Sequence, residues 1–344
     1  MSPADTILVV LLLPLIGAVG IVLAGRWPNL RETVTLVTAT SLAILVWSLI
    51  PLIMDGGRPG VVVVELFGDL TLAFSVEPLG MLFAALASAL WIVNSVYSIG
   101  YMRGNNEKNQ TRFYVCFAVA ISAVMGVAFA DNLLTLFLCY ELLTLSTYPL
   151  VAHKGDKATI RSARVYLGIL LATSIGLLLP AIIWTYTVAG TLTFTPGGIL
   201  AGNLEGPAVG LLLGLYVFGI GKAALMPVHR WLPAAMVAPT PVSALLHAVA
   251  VVKAGVFTVT KVIIYVFGVE NLFAEPSGGW LLYAAAFTII AASVVALLTA
   301  FAMAASGVTA RRLRADFDSH SKLLRRFKYL RRAHTAMWLV AAGA

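Results

Sequence analysis

Three charged side chains interrupt stretches that are otherwise apolar enough to cross a lipid bilayer. Glu141 lies in residues 131–152, Lys222 in residues 207–227 and Lys253 in residues 241–267. A charge at the centre of a spanning helix costs about 2.5–3.5 kcal/mol on insertion scales. Charged residues are retained in such helices, despite this cost, only where they face each other, water or a transported ion. The three residues therefore indicate a protein that moves charge across a membrane.

The overall composition agrees with a membrane location. Hydrophobic residues make up 60% of the chain and charged residues 11%, whereas a soluble domain is roughly 45–50% apolar and about 25% charged. Cys116 and Cys139 both fall in hydrophobic stretches, which favours small buried side chains over a disulfide or a metal site. Fingerprints for nucleotides, dinucleotides and zinc are missing from the sequence, so we expect no cofactor, no metal and no catalytic site in this chain.

The hydrophobic stretches define the fold class. Because a span needs about 20 apolar residues, we predict an all-α polytopic membrane protein with about nine transmembrane helices. Residues 60–77 contain β-branched runs interrupted by Gly68 and Asp69, which predicts a short hairpin on the membrane surface. The predicted spans are 5–25, 33–54, 78–100, 112–130, 132–152, 162–189, 207–228, 242–266 and 279–305.

The distribution of basic residues predicts the orientation. Of the 23 Lys and Arg residues, three lie well inside spans, and 19 of the other 20 lie in loops, in the tail or at span ends on one side of the predicted membrane. Since cytoplasmic loops carry the excess of basic residues, we expect the N-terminus outside and the tail in the cytoplasm. Acidic residues such as Glu77 and Asp131 then collect on the outer face, and Lys261 is expected to snorkel toward it. The net charge of +8 reflects this topology, so nucleic acid is not an expected partner.

The charged residues share one depth, and one of them lies beside a predicted helix break. At 1.5 Å per residue, Glu141 lies about 14 Å from the outer start of its helix and Lys253 about 17 Å from the inner start of its own. Pro227 has no N–H, so the carbonyl of residue 223 loses its partner within the helix. Gly221 precedes Lys222 directly. A broken seventh helix beside a Lys is a recurring feature of transporters.

These positions suggest a proton relay. A carboxylate that moves relative to a buried Lys changes whether that Lys holds its proton, so Glu141 is expected to control Lys222, and Lys253 to receive or pass on the proton. His247 suits a relay near neutral pH, although it could equally be a packing residue beside Ser243. A structural Glu–Lys staple between helices is the alternative for the pair. The candidate water-lining residues are Thr144, Tyr148, Ser243 and His229, the last also placed at the membrane interface.

Three segments carry a resemblance to a known family. GKAALMPVHRWLPAAMVAPTPVSALLHAVAVVKAG (221–255), YELLTLSTYPLVAH (140–153) and SIGYMRGNNEKNQTRFY (98–114) resemble the proton-translocating antiporter-like family. It includes multiple-resistance-and-pH cation/proton antiporter subunits and related subunits of respiratory complex I and hydrogenases. The chain is most similar to the D-type subunit. By this resemblance Glu141 takes the place of the family's helix-five Glu, Lys222 of its helix-seven Lys, and Lys253 and His247 of its helix-eight Lys and His.

The resemblance also implies a division of the chain. Residues 1–111 hold the first three helices, residues 112–267 form the proton-translocation core, and residues 268–305 begin a second inverted repeat. Family members have further helices after that point, so the chain resembles a C-terminally truncated member. Residues 306–344 form a basic cytoplasmic tail, which is either a surface helix or sequence that has left its reading frame.

The resemblance implies a proton-translocating subunit in a multi-subunit complex of the plasma membrane. We expect a monovalent cation/proton antiporter with other membrane subunits as partners and Na⁺ or K⁺ as the exchanged ion. One alternative is a proton-pumping membrane subunit of an NADH:quinone oxidoreductase or hydrogenase-type complex. Another is a truncated remnant that conducts nothing.

Overall fold

The structure is a computed structural model that describes residues 2–67, 70–245 and 249–315, with the side chains of residues 67 and 305–315 left out of the description. His247 and the tail from residue 316 lie outside the described residues. The chain divides into two compact units, residues 1–280 and residues 281–344. The second unit is described by its helix alone.

The first half of the chain folds into long apolar helices. Proline at the first turn of α1, α2 and α4 favours their starts, and the Asn132 and Asp156 side chains cap α6 and α7. A π-helical turn at Ser174–Leu178 joins α7 to α8. The helices are α1 (Pro3–Leu23), α2 (Pro28–Ser48), α3 (Ile50–Met54), α4 (Pro78–Gly104), α5 (Gln110–Phe129), α6 (Leu133–Val151), α7 (Lys157–Thr173) and α8 (Leu179–Ala189).

The second half is interrupted more often. Turns of 3₁₀ helix occur at Gly221–Ala223, Val228–Arg230 and Pro276–Gly278, and a π-helical turn at Ile263–Phe267 extends α12. The helices are α9 (Pro207–Gly219), α10 (Trp231–Ala235), α11 (Thr240–Ala244), α12 (Val251–Val262), α13 (Val269–Ala274) and α14 (Trp280–Ala315).

The helices confirm a polytopic membrane protein, while the number of nine spans stays a prediction. Within the described ranges, seven helical segments are long and apolar enough to cross a membrane. The predicted spans 207–228 and 242–266 are not continuous helices, because the first ends as a helix at Gly219 and the second is divided between α11 and α12. Large apolar side chains on the outward faces, such as Ile16, Ile44 and Leu82, are exposed, as expected for contact with acyl chains.

The predicted hairpin is confirmed and helps to organise one end of the bundle. Strand β1 (Gly60–Phe67) pairs antiparallel with β2 (Leu70–Ser75). Isolated bridges join Phe74 to Ala130 and Asn132 to Thr193. The hairpin, residues 130–132 and residues 190–206 therefore meet at one end, which we call the acidic face.

The opposite end, which we call the basic face, consists of the loops at residues 24–27, 105–109 and 152–156. Arg103 pairs with the buried carboxylate of Glu32, and an Arg31 guanidinium nitrogen donates to Gln110 Oε1 at 2.7 Å. Arg112 donates to the carbonyl of His153 at 2.9 Å. These contacts tie α2, α4, α5 and the loop after α6 together.

Helix α5 lies at the centre of the first unit. Most of it is buried, between α1, α4 and α6. Small residues allow close packing, since a Cβ at Gly126 would lie 2.5 Å from Cys139 Sγ. Cys116 and Cys139 are both free thiols. Helix α6, which carries Glu141, is thereby held directly against the core.

Candidate functional site

The helix that carries Lys222 is broken beside it. Helix α9 ends at Gly219, and Lys222 lies in the following 3₁₀ turn. Ala224 then adopts a left-handed backbone with φ of 56°. The indole of Trp231 donates to the carbonyl of Gly221 at 2.8 Å, so a side chain satisfies a backbone group that the break exposes. The break begins before Pro227, which is exposed and lies further along the chain.

Three glycines allow other segments to pack closely against the break. A Cβ at Gly219 would lie 2.5 Å from the backbone nitrogen of Leu178 in the π-helical turn. At Gly221 it would lie 2.3 Å from Thr173 Oγ1, and at Gly255 it would lie 2.2 Å from the backbone nitrogen of Ala223. Real Cβ atoms do not make such contacts, so the break fits tightly between the α7–α8 junction and α12.

Lys222 is completely buried, with an exposed fraction of 0%, and helix α6 supplies its partners. The ammonium donates to the backbone carbonyl of Tyr140 at 2.8 Å and to Thr144 Oγ1 at 2.6 Å. It also lies 3.0 Å from the centroid of the Tyr140 ring, a cation–π contact. The Lys222 backbone N–H donates to the Tyr140 hydroxyl at 3.1 Å. One turn of α6 therefore holds both the amine and its backbone.

Glu141 follows Tyr140 on the same turn of α6. Both of its carboxylate oxygens are buried and lack a hydrogen-bond partner among the described residues. It forms no ion pair with Lys222 within 4.0 Å, although its charge acts on the Lys222 amine. A buried carboxylate without a partner is costly.

The structure does not place Lys253 in this cluster. Gly255 packs against Ala223, and a residue two positions earlier on a helix projects about 200° around the axis. Lys253 is accordingly exposed on the far side of α12. His247 lies outside the described residues. Tyr148 and Ser243 are half-buried. His229 is half-buried, and its Nδ1 has no hydrogen-bond partner in the part of the chain that the structure describes.

Two aromatic residues contribute to the site although the charged pattern did not single them out. Tyr140 supplies three of the contacts to Lys222, and Trp231 supports the break while its ring packs edge-on against Tyr166 at 5.6 Å. A sequence signal for Tyr140 exists, since Tyr140 and Thr144 are four residues apart and share a helix face. Their face adjoins that of Glu141.

Lys261 differs from its sequence-based expectation. Its exposed fraction is 1%, and its amine pairs with Glu77 Oε1 at 2.8 Å. The amine reaches the acidic face as expected, but it is buried in an ion pair there and not exposed to water as a snorkelling side chain would be. The physical reason is that the segment 190–206 covers the acidic-face end of α12, with the Phe194 ring 4.5 Å from the amine.

Comparison with known proteins identifies the family. A family profile described as "NADH:quinone oxidoreductase/Mrp antiporter, TM" matches residues 130–301, half of the chain. The chain belongs to this family. The matched range contains Glu141, Lys222 and Lys253, and it includes the break after α9.

The relatives include both branches of the family. The NAD(P)H-quinone oxidoreductase subunit 5 of Paulinella chromatophora is 31% identical over 203 residues, which cover 56% of this chain and 30% of that protein. The A-type subunit of the Na(+)/H(+) antiporter of Alkalihalophilus pseudofirmus is 33% identical over 201 residues, which cover 54% of this chain and 23% of that protein. The match thus spans less than a third of either relative.

A solved structure supports the same assignment. A chain of the Mrp complex from Dietzia sp. DQ12-45-1b aligns with a TM-score of 0.63 and 25% identity, over 74% of this chain and 28% of that one. The resemblance to antiporter-like subunits and the multi-pass helical fold are confirmed. The two relatives are of the subunit 5 type and the A type, so the D-type assignment stays a prediction.

Proposed function

We propose that this chain is a proton-translocating membrane subunit of a monovalent cation/proton antiporter. The observation that carries the proposal is the fully buried Lys222 amine at a helix break, beside the unpartnered carboxylate of Glu141. Ionisable residues within membrane helices usually mark ion pathways and proton relays. Family membership supports the same conclusion.

The contacts of Lys222 suit a group that gains and loses a proton. As an ammonium it donates to the Tyr140 carbonyl and to Thr144 Oγ1. As a neutral amine it still has two N–H donors for those acceptors and presents a lone pair. The site therefore accommodates both states, and the charge on Glu141 decides between them, because a nearby carboxylate favours the ammonium. Protonation of Glu141 releases the proton from Lys222.

We propose that Lys253 is the next group to receive the proton after Lys222. It lies across α12 from the break, so a proton that leaves Lys222 must pass around or along this helix to reach it. His247 is its proposed companion, with an imidazole that titrates near neutral pH. Thr144, Tyr148, Ser243 and His229 would line the water between these groups.

The exchanged ion and the partners follow from the relatives. One relative belongs by name to a Na(+)/H(+) antiporter, and a structural neighbour belongs to an Mrp complex. We therefore propose Na⁺ or K⁺ as the exchanged ion and other membrane subunits as partners. The proposed location is the plasma membrane, with the N-terminus outside and the tail in the cytoplasm.

A second candidate function is a proton-pumping membrane subunit of a quinone oxidoreductase. The 31% identity to an NAD(P)H-quinone oxidoreductase subunit 5 favours it. The same Lys222 site would then be driven by redox reactions in other subunits. A Na⁺ or K⁺ gradient imposed on the complex in vesicles separates the two, since only the antiporter would move protons in response.

Proton flux in proteoliposomes that contain the full chain with its native partner subunits tests the proposal. Lys222→Ala and Glu141→Gln should each reduce the flux at least tenfold, because each removes one member of the relay. Lys253→Ala should reduce the flux without changing thermal stability, since that side chain is exposed. The matched control is Lys157→Ala, an exposed Lys at the start of α7. Flux that survives unchanged in Lys222→Ala would refute the proposal.

A further inference from the structure

A cavity of about 490 Å³ opens at the acidic face, away from Lys222. The hairpin end, the segment 194–197 and the end of α12 form its walls. Its charged lining residues are two acids, Glu77 and Asp131, and two bases, Arg58 and Lys261, with Tyr265 beside them. The proton relay proposed above does not use these groups.

The Lys261 amine is held within the wall of this cavity. It pairs with Glu77 Oε1 at 2.8 Å, donates to the carbonyl of Ala130 at 2.6 Å and lies 4.5 Å from the centroid of the Phe194 ring. Lys261 and Glu77 thus neutralise each other. Burial makes both members dependent on the pair, because removal of either leaves an uncompensated charge.

Asp131 is the remaining acid of the cavity, and its backbone is fixed on both sides. Its N–H donates to the carbonyl of Ala73 at 3.1 Å, and its carbonyl accepts from the Phe194 N–H at 3.0 Å. Its carboxylate forms no ion pair within 4.0 Å among the described residues. Partial burial raises the pKa of this carboxyl, the Lys261 charge lowers it and the Glu77 charge raises it, with burial dominant.

The second base does not compensate Asp131. The Arg58 guanidinium donates to the carbonyl of its neighbour Gly57 at 3.0 Å and is solvent-exposed, so water screens its charge. The groups that face Asp131 from the surrounding elements are therefore Glu77 at the start of α4, Lys261 and Tyr265 at the end of α12, and Arg58 in the loop before β1. Asp131 carries the carboxylate that can bind a proton without breaking an ion pair.

We propose that Asp131, supported by the Glu77–Lys261 pair, is a second protonatable site, which exchanges a proton with the water at the acidic face. The step forms one O–H bond on the Asp131 carboxylate and breaks one O–H bond of a hydronium ion, which leaves as water. Lys261 lies on the same helix as Gly255, about 9 Å further along the axis, and Gly255 touches the backbone beside Lys222. Helix α12 therefore contributes to both sites, and the transfer of protons between Asp131 and the relay is a role that rests on the proposed function.

Infrared titration of the purified full chain tests the site without any transport. The wild type should show a carboxyl band that titrates above the ordinary Asp value near 3.9, and Asp131→Asn should remove it. Lys261→Met should move that titration to higher pH, because an opposite charge is lost. Lys261→Arg keeps the charge and should leave the titration near the wild-type position. Asp55→Asn, an exposed acid near the same face, is the matched control and should leave the band intact.

A titration that is the same in Asp131→Asn and the wild type would overturn the site. The transport role has its own readout, since Asp131→Asn should change the pH dependence of the proton flux several-fold while Asp55→Asn does not. An unchanged pH dependence would overturn that role. Failure of the proposed function is recognised separately, as flux that survives in Lys222→Ala while the infrared band still behaves as expected.

Discussion

Thr144→Val isolates one hydrogen bond at the buried amine. Thr144 Oγ1 lies 2.6 Å from Lys222 Nζ, and valine keeps the branched shape of the side chain without the acceptor. A hydrogen bond to a charged group contributes about 1.5–3 kcal/mol. The neutral amine also donates to this acceptor, so only the difference from a neutral hydrogen bond, about 1–1.5 kcal/mol, shifts the equilibrium. The population of protonated Lys222 should therefore fall roughly five- to tenfold wherever the two protonation states are in equilibrium.

The assay is proton flux in proteoliposomes as a function of pH. Thr144→Val should lose flux at the pH optimum of the wild type, and Thr144→Ser should restore most of it, because serine supplies the same acceptor. The matched control is Thr185→Val, since Thr185 is equally buried and its hydroxyl bonds to Tyr216 at 2.6 Å, remote from Lys222. Wild-type behaviour of Thr144→Val, or an equal loss in Thr185→Val, would refute the reasoning.

Two further predictions concern packing and pH. Gly255→Ala places a Cβ 2.2 Å from the backbone of Ala223, so it should lower the free energy of unfolding by about 1–3 kcal/mol and reduce the proton flux. The control Gly168→Ala, whose Cβ meets no heavy atom within 4 Å, should retain both stability and flux. A stable and active Gly255→Ala variant would contradict the close contact. Burial lowers the pKa of His153 in the folded chain, so the unfolded chain binds a proton at a higher pH than the folded chain does. The free energy of unfolding should therefore fall as the pH drops below about 6.5, by at most about 1.4 kcal/mol per pH unit. Thermal unfolding in detergent at several pH values should show a flatter profile for His153→Gln, and an identical profile would count against the assignment.

Residue types alone were enough to locate the buried Lys222 and its neighbour on α6. The energetic cost of a charge in an apolar stretch singles out Glu141 and Lys222, and both lie where α6 meets the break. The break includes both residues predicted for it, Gly221 and Pro227, but it begins slightly earlier. Helix α9 already ends at Gly219, whose backbone packs directly against Leu178. This contact joins segments that are distant in sequence, so a local rule does not predict it.

The direction of Lys253 could not be predicted in the same way. The depth of a residue in the membrane follows from its position along a span. The direction in which its side chain points can be read from sequence spacing only when the whole span is one continuous helix. The span 242–266 is divided between α11 and α12, so the phase of one part does not carry into the other. Lys261 shows a related limit, because its burial depends on Glu77 and Ala130, which are remote in sequence.

The contact between Gly255 and Ala223 has a mechanical consequence. Two backbones that touch without an intervening side chain have no compressible layer between them, so a displacement of α12 toward the break is transmitted to the turn that carries Lys222. Lys253 projects from the other side of the same helix. A force applied to that exposed side is therefore passed through α12 and the Gly255–Ala223 contact to the turn that holds the buried amine.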